Sequence, residues 1–482
     1  MDLTQIFSIC GLLIYFLLLL LAVARDNKNK HKNIVDYFFA GRSLPFWTLS
    51  ITFIASWWGA GSAISTADLA FEDGMGAFWY YGVPVLVSTF LMIIGSKAIR
   101  RINYLTQGEM MEARYSKTVG KLLAIMIFIF MTVTAASQMV AIGSFFGTYL
   151  GINYEIAVIV GTSIVLIYSL FGGFKGVVLT DIIQFILLLI SAIIVFAVAL
   201  FHSGGFDETA RKALELGKTD YMNVTAGVDK YLSYVITFGC AWLIQANVWQ
   251  RISAAKSDKD AYKMTIMSFI IYIPLYLIVV FTGMASITLF ETIPEGGVIT
   301  NIVTNYMPPI LKTIVFIGIS AAIMSTMDSL INTGAMTLVI DLLPKNIEDE
   351  KKLKLSKVAT FLVTIVALII SLKIRSILDI SWIASDIITT GVFIPLILGF
   401  IWKKGNSKGA LTSMLTGLFY CIYNLLIDFG APLYRSWQPH STAQVLIGVS
   451  LSATVYILVS LITNAEYSKA EIFILKAQLF KK

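Results

Sequence analysis

The stretch Gly172-Gly173-Phe174-Lys175-Gly176-Val177-Val178-Leu179-Thr180-Asp181-Ile182-Ile183-Gln184 sets a carboxylate and an amide three residues apart. On a helix that spacing puts both on one face. The chain runs on as Phe185-Ile186-Leu187-Leu188-Leu189-Ile190, apolar enough to lie in a membrane. An ionisable group there costs about 2.5–3.5 kcal/mol on insertion scales, so Asp181 is expected to face a cavity and mark an ion or proton path. The alternative is a carboxylate at an interfacial helix start, satisfied by the dipole and by water.

A second constellation is Ala321-Ala322-Ile323-Met324-Ser325-Thr326-Met327-Asp328-Ser329-Leu330-Ile331-Asn332. Ala322, Ser325, Ser329 and Asn332 fall on one helical face, with Thr326 and Asp328 flanking it. Hydroxyls plus a carboxylate are hard oxygen ligands, and the absence of His and Cys argues against a transition metal. A small-residue packing seam explains the serines but not Asp328.

The third is Ala55-Ser56-Trp57-Trp58-Gly59-Ala60-Gly61-Ser62, where two glycines interrupt an apolar run. A broken helix at membrane depth frees carbonyl oxygens that suit Na+, whereas close packing through small residues is the plainer explanation. Further polar positions in apolar context are Gln245, Asn247, Gln250 and Arg251, and the segment Trp382-Ile383-Ala384-Ser385-Asp386 ahead of Pro395.

Membrane helices must position these groups. Of 482 residues, 57% are hydrophobic and 13% charged, half the charge of a soluble domain. Apolar runs long enough to span a bilayer recur at about 5–24, 44–70, 77–98, 120–149, 154–171, 177–201, 231–250, 262–291, 309–341, 356–373, 378–402, 409–428 and 442–463. This predicts one all-α integral membrane domain of thirteen spans. With the N-terminus outside and the C-terminus inside, 28 of the 36 Lys and Arg fall on the inner side, as the positive-inside rule requires. Ala22-Val23-Ala24 looks like a cleavage site, but the leader lacks positive charge, so the first span is expected to be retained. The run Lys28-Asn29-Lys30-His31-Lys32 reads as a solvated loop on the inner side.

Cys10, Cys240 and Cys421 lie in apolar runs without metal or disulfide spacing, and His31, His202 and His440 lie in loops. The net charge of +7 follows topology rather than nucleic acid. No nucleophile–base pair or metal motif suggests an enzyme. The partners implied are a small-molecule solute and the lipid bilayer, with no obligate protein partner.

With these residues in view, the chain resembles the sodium/solute symporter family of sodium–glucose, sodium–proline and sodium–iodide transporters. The resemblance runs from Asp36-Tyr37-Phe38 and Gly41-Arg42 to the last span. It is most specific at Gly172-Gly173 through Thr180-Asp181 and Gln184, at Ser320 through Ser329, and at Gln250-Arg251. It implies a leucine-transporter-like fold in which spans two to six (44–201) and seven to eleven (231–402) are inverted repeats. An extra N-terminal span (1–24), two C-terminal spans (409–463) and a cytoplasmic tail (464–482) complete the chain. It also implies Na+ as coupling ion and a multi-pass place in the plasma (inner) membrane. A first sodium site would use the carbonyls of Ala55, Trp58 and Ala322 and the hydroxyls of Ser325 and Thr326. A second would use Asp181, Ser325, Asp328 and Ser329.

For the solute, Ala55-Ser56-Trp57, Ser385-Asp386 and Lys404-Gly405-Asn406-Ser407-Lys408-Gly409-Ala410 look most like the choline-transporter branch. There the residue matching Trp57 helps box a quaternary ammonium, with Trp79, Tyr81 and Trp242 as further cage candidates and Asp386 as a partner for a cationic solute. The branch's other box positions fall on Gln245, Thr134 and Leu86, none aromatic. Gln245 is similar to what proline-type members carry, so a zwitterionic solute stays open. So do proton coupling through Asp181, Asp328 or Asp386 and a non-transporting sensor.

Overall fold

A computed structural model describes residues 3–27 and 33–479; the basic run 28–32 and the extreme ends of the chain lie outside the described residues. Apart from one isolated bridge between Leu44 and Ala255, regular structure among them is helical. Short polar residues start the helices where the spacing of the sequence demands. Ser116, Asn153, Ser257, Ser376, Asn406 and Ser441 each accept a bond from a backbone N–H two or three residues on, satisfying an end that lipid would leave unpaired.

Among the described residues, ten helical stretches are long and apolar enough to cross a membrane, or eleven when Ile377–Gly391 and Phe393–Gly399, bent by 47°, count as one. The expectation was thirteen. The two that fall short are the second and fifth, whose straight parts are the short apolar helices Phe46–Ala55 and Tyr154–Leu170. The second span is interrupted as its glycines predict, and the seventh is interrupted among its polar residues. Phe46–Ala55 stops before a π-turn at Gly61–Ser65, and Val228–Leu243 stops at the extended Gln245 before Ala246–Ala254.

The N-terminal helix Leu3–Asn27 is part of the bundle. Ser8 Oγ meets Tyr149 Oη at 2.8 Å, and Gln184 Nε2 donates to Tyr15 Oη at 2.9 Å. The helix Asp258–Ala285 lies along both halves of the broken segment. Ser50 Oγ donates to Met264 O at 3.3 Å, Tyr272 Oη donates to Phe53 O at 3.3 Å, and Ser62 Oγ and Tyr276 Oη lie 2.7 Å apart.

Within the long helix Tyr154–His202, Gly173 has φ 52° and ψ −164°, so the axis kinks there. A Cβ at that position would stand 2.9 Å from both the ring and the carbonyl of Tyr37. Gly173→Ala is expected to cost ~1–3 kcal/mol, read as a lowered melting temperature of the purified protein, whereas Gly176→Ala, three residues on in helical backbone, should leave it nearly unchanged.

Candidate functional site

The break after Ala55 is shaped by Gly59. A Cβ there would lie 2.2 Å from Gln138 Oε1 and 2.9 Å from Thr326 Oγ1, so only glycine lets Lys117–Leu150 and Pro309–Thr337 approach this closely. Gln138 uses the approach to cap the opened turn, its Oε1 accepting from Ala60 N at 2.8 Å. The Trp57 carbonyl is satisfied by Ser62 Oγ at 3.1 Å. Ala55 O accepts from Ser325 Oγ at 2.9 Å and Thr326 Oγ1 at 3.2 Å, and the same hydroxyls reach Ala322 O at 2.9 and 3.4 Å. Four of the five groups expected at the first sodium site thus meet in one buried cluster. The fifth residue, Trp58, lines a small cavity together with Ala322 and packs its indole on Tyr276. Neutral carbonyl and hydroxyl oxygens are ligands for a hard cation. Each hydroxyl that now donates to a carbonyl offers its own lone pair once it turns toward an ion.

The second expected set is arranged differently. Asp181 and Arg251 are fully buried and paired, Nη2 donating to Oδ2 at 3.2 Å. The same nitrogen donates to Ser329 Oγ at 2.8 Å, and Nε donates to Thr52 Oγ1 at 3.1 Å. Thr52 in turn donates to Asp181. The guanidinium therefore sits between Asp181 and Ser329. Asp328 has the hydroxyls of Tyr168 and Ser329 beside it, but neither of its carboxylate oxygens accepts a well-formed hydrogen bond. Ser325, expected in both sets, gives its hydroxyl to the first.

Arg251 and Thr52 are the groups that sequence reasoning missed. Arg251 closes an apolar run at a position that reads as an interfacial cation. Its signals were the polar series Gln245, Asn247, Gln250 and the Gln250-Arg251 pair of the family resemblance, neither of which gave it a role.

Around Trp57 the structure brings several of the expected residues together. Its ring packs on Phe53 at 4.9 Å, Trp242 at 5.9 Å and, near-parallel, Tyr272 at 6.2 Å. Tyr81 meets Trp242 at 4.6 Å. The buried Trp57 Nε1, Gln245 Oε1 and both amide atoms of Asn247 lack hydrogen-bond partners, so polar groups are at hand beside an aromatic wall.

Two expected solute residues lie elsewhere. Trp79 is half-buried, its Nε1 donating to Val224 O at 2.8 Å to hold a connecting loop. Asp386 shares a helical face with Thr390, which donates to Gly417 O at 3.1 Å and so looks toward Ser407–Asp428. The Oδ2 of Asp386 accepts from Gln444 Nε2 at 3.3 Å, and Asp386 lines a cavity with Cys421 and Asn424 rather than the wall around Trp57.

The profile of the sodium:solute symporter family matches residues 37–417. The sodium/glucose cotransporter of Vibrio parahaemolyticus is 24% identical, covering 85% of this chain and 83% of its own. The osmoregulated proline transporter of Bacillus subtilis is 24% identical over 95% of both chains. The human high affinity choline transporter 1 is 25% identical over 88% of this chain and 77% of its own. Among solved structures, a Na+-coupled sialic acid symporter in a substrate-bound outward-open state aligns with TM-score 0.78 at 17% identity, covering 95% of this chain and 98% of that one. A nucleobase-cation-symport-1 family transporter aligns with TM-score 0.61 at 12% identity, over 90% and 97%. At these identities the structural likeness speaks to the fold, and the family match to the lineage. The chain belongs to the sodium:solute symporter family of multi-pass membrane transporters, and it is not an enzyme.

Proposed function

We propose that this protein is a sodium-coupled symporter that imports a small organic solute by alternating access, crossing the plasma (inner) membrane thirteen times with its N-terminus outside. The observation that carries this reading is the cluster of Ala55 O, Ala322 O, Ser325 Oγ and Thr326 Oγ1 where the broken helix meets Pro309–Thr337. Na+ bound there would tie the two helices together and favour the state that admits solute, which is the condition for coupling. The solute would bind beside Trp57, Tyr81 and Trp242, with Gln245 as a polar partner. That lining suits an amine, a quaternary ammonium or an amino-acid-like zwitterion, since aromatic faces attract such cations.

Ser325→Ala removes one ligand to a charged ion, so the sodium concentration for half-maximal uptake in proteoliposomes should rise about tenfold or more, with the preference among solutes unchanged. Unaltered sodium dependence would refute the placement.

One observation favours a second coupling event. Asp328 is buried without a well-formed hydrogen bond, and such a carboxylate calls for a cation or a proton. With Arg251 already between Asp181 and Ser329, a second Na+ held by Asp181, Asp328 and Ser329 would have to share that space. Hyperbolic sodium dependence at fixed pH supports a single ion at the first cluster. Sigmoidal dependence that Asp328→Asn makes hyperbolic supports a second Na+, and uptake that persists in lithium or N-methylglucamine but follows pH supports a proton.

A further inference from the structure

The space that Asp386 does face is a separate cavity of about 280 Å³, at the end of the bundle where Ile377–Gly391 begins and Ser407–Asp428 finishes. That is near the lower end of small-ligand pockets, ~300 Å³. Asp386 lines it while only 2% exposed. Its Oδ2 accepts from Gln444 Nε2 at 3.3 Å; the Cys421 thiol lies beside the carboxylate, but Oδ1 accepts no well-formed hydrogen bond.

The surrounding groups do not supply the missing cation. Arg435 Nη2 is paired with Asp428 Oδ1 at 2.5 Å. The charged groups about His440 are Asp379, Asp428 and Arg435, and burial holds its imidazole below the ordinary 6.5, so it is neutral at pH 7. Nor does the lining suit a bare inorganic ion, which wants several oxygens. The Asn424 oxygen already accepts from Trp437 Nε1 at 2.9 Å, Asp428 is paired with Arg435 and Asp379 is exposed, so the buried part of the lining offers a single free carboxylate oxygen, Asp386 Oδ1. The remaining wall is apolar, with the rings of Trp382 and Phe429 among Ile374, Ile383, Leu425 and Pro439. Trp382 lines the cavity with His440 at 4.6 Å between ring centroids. On its other sides Trp382 meets Tyr234 at 5.1 Å and Phe238 at 6.3 Å, and those rings separate this cavity from Trp242 and Trp57.

We infer that this cavity is a second binding site, for an organic monocation such as a protonated or quaternary amine, with its charged head on Asp386 and its apolar body against Trp382. Asp379, exposed on the lining, would draw the cation in. The site lies on the side that the proposed topology makes external.

The test is calorimetric titration of tetramethylammonium into the purified full-length protein in sodium-free potassium buffer. Saturable binding is expected, weakened about tenfold or more in Asp386→Asn, while stabilisation by Na+, followed by melting, stays at the wild-type value. Should Asp386→Asn not fold, Asp379→Asn on the exposed lining should weaken binding about twofold to threefold, more so at low salt. No binding to the wild type, equal binding to Asp386→Asn, or, failing that variant, to Asp379→Asn, overturns the site. So does binding lost in Trp57→Leu alone, which would assign it to the central cage. An altered sodium response with intact tetramethylammonium binding would instead count against the transport reading.

Discussion

Arg251→Met will destabilise the protein by about 3–5 kcal/mol, because removing one partner of a buried ion pair strands the other. The effect should be large here for a further reason. The guanidinium is fully buried, holds Asp181, Ser329 and Thr52 at once, and donates to Asn247 O at 3.0 Å. Asp328 lies close enough to feel the same charge. Chemical or thermal unfolding in detergent reads the loss. The double variant Asp181→Asn, Arg251→Met removes both charges of the pair and should recover most of it. If Arg251→Met melts with the wild type, or the double variant is no better than the single, the guanidinium is not the counter-charge described.

Gly59→Ala should have the largest effect on ion coupling. The added methyl would enter space held by Gln138 Oε1 and Thr326 Oγ1. Gln138 can swing aside only by releasing the buried Ala60 N–H, which costs ~1–3 kcal/mol. Thr326 can retreat only by leaving Ala55 O. Sodium-stimulated uptake should therefore fall more than tenfold in apparent sodium affinity, about 1.4 kcal/mol or beyond. Gln138→Ala placed in the Gly59→Ala background relieves the closer clash and should restore part of that affinity. An unshifted sodium response in Gly59→Ala would show that the break does not shape the cluster.

The oxygen cluster was legible in the sequence because its parts are local. Hydroxyls at Ser325 and Thr326 share a helix with Ala322, and the glycines at 59 and 61 announce where the facing helix must open. The Arg251 network was not legible. A cation at the end of an apolar run looks the same whether it snorkels to the interface or turns inward. Only the docking of Ala246–Ala254 against Phe46–Ala55 and Pro309–Thr337 decides that. Asp386 shows a related limit: the sequence gives the phase of a helix, not which neighbour each face meets. The long straight helices number fewer than the thirteen apolar runs because the second and fifth carry their polarity as breaks that shorten each straight apolar piece.

The helix Asp258–Ala285 grips the severed segment above and below its gap, through Ser50, Phe53 and Ser62. The segment is therefore splinted: its two pieces travel with that helix as one body rather than flexing at the fracture. The contacts free to open are those on the opposite flank, against Ser325 and Thr326. An ion lodged there, as proposed above, would act as a latch on that seam, and its arrival or departure would need to shift only the seam to be felt across the whole body.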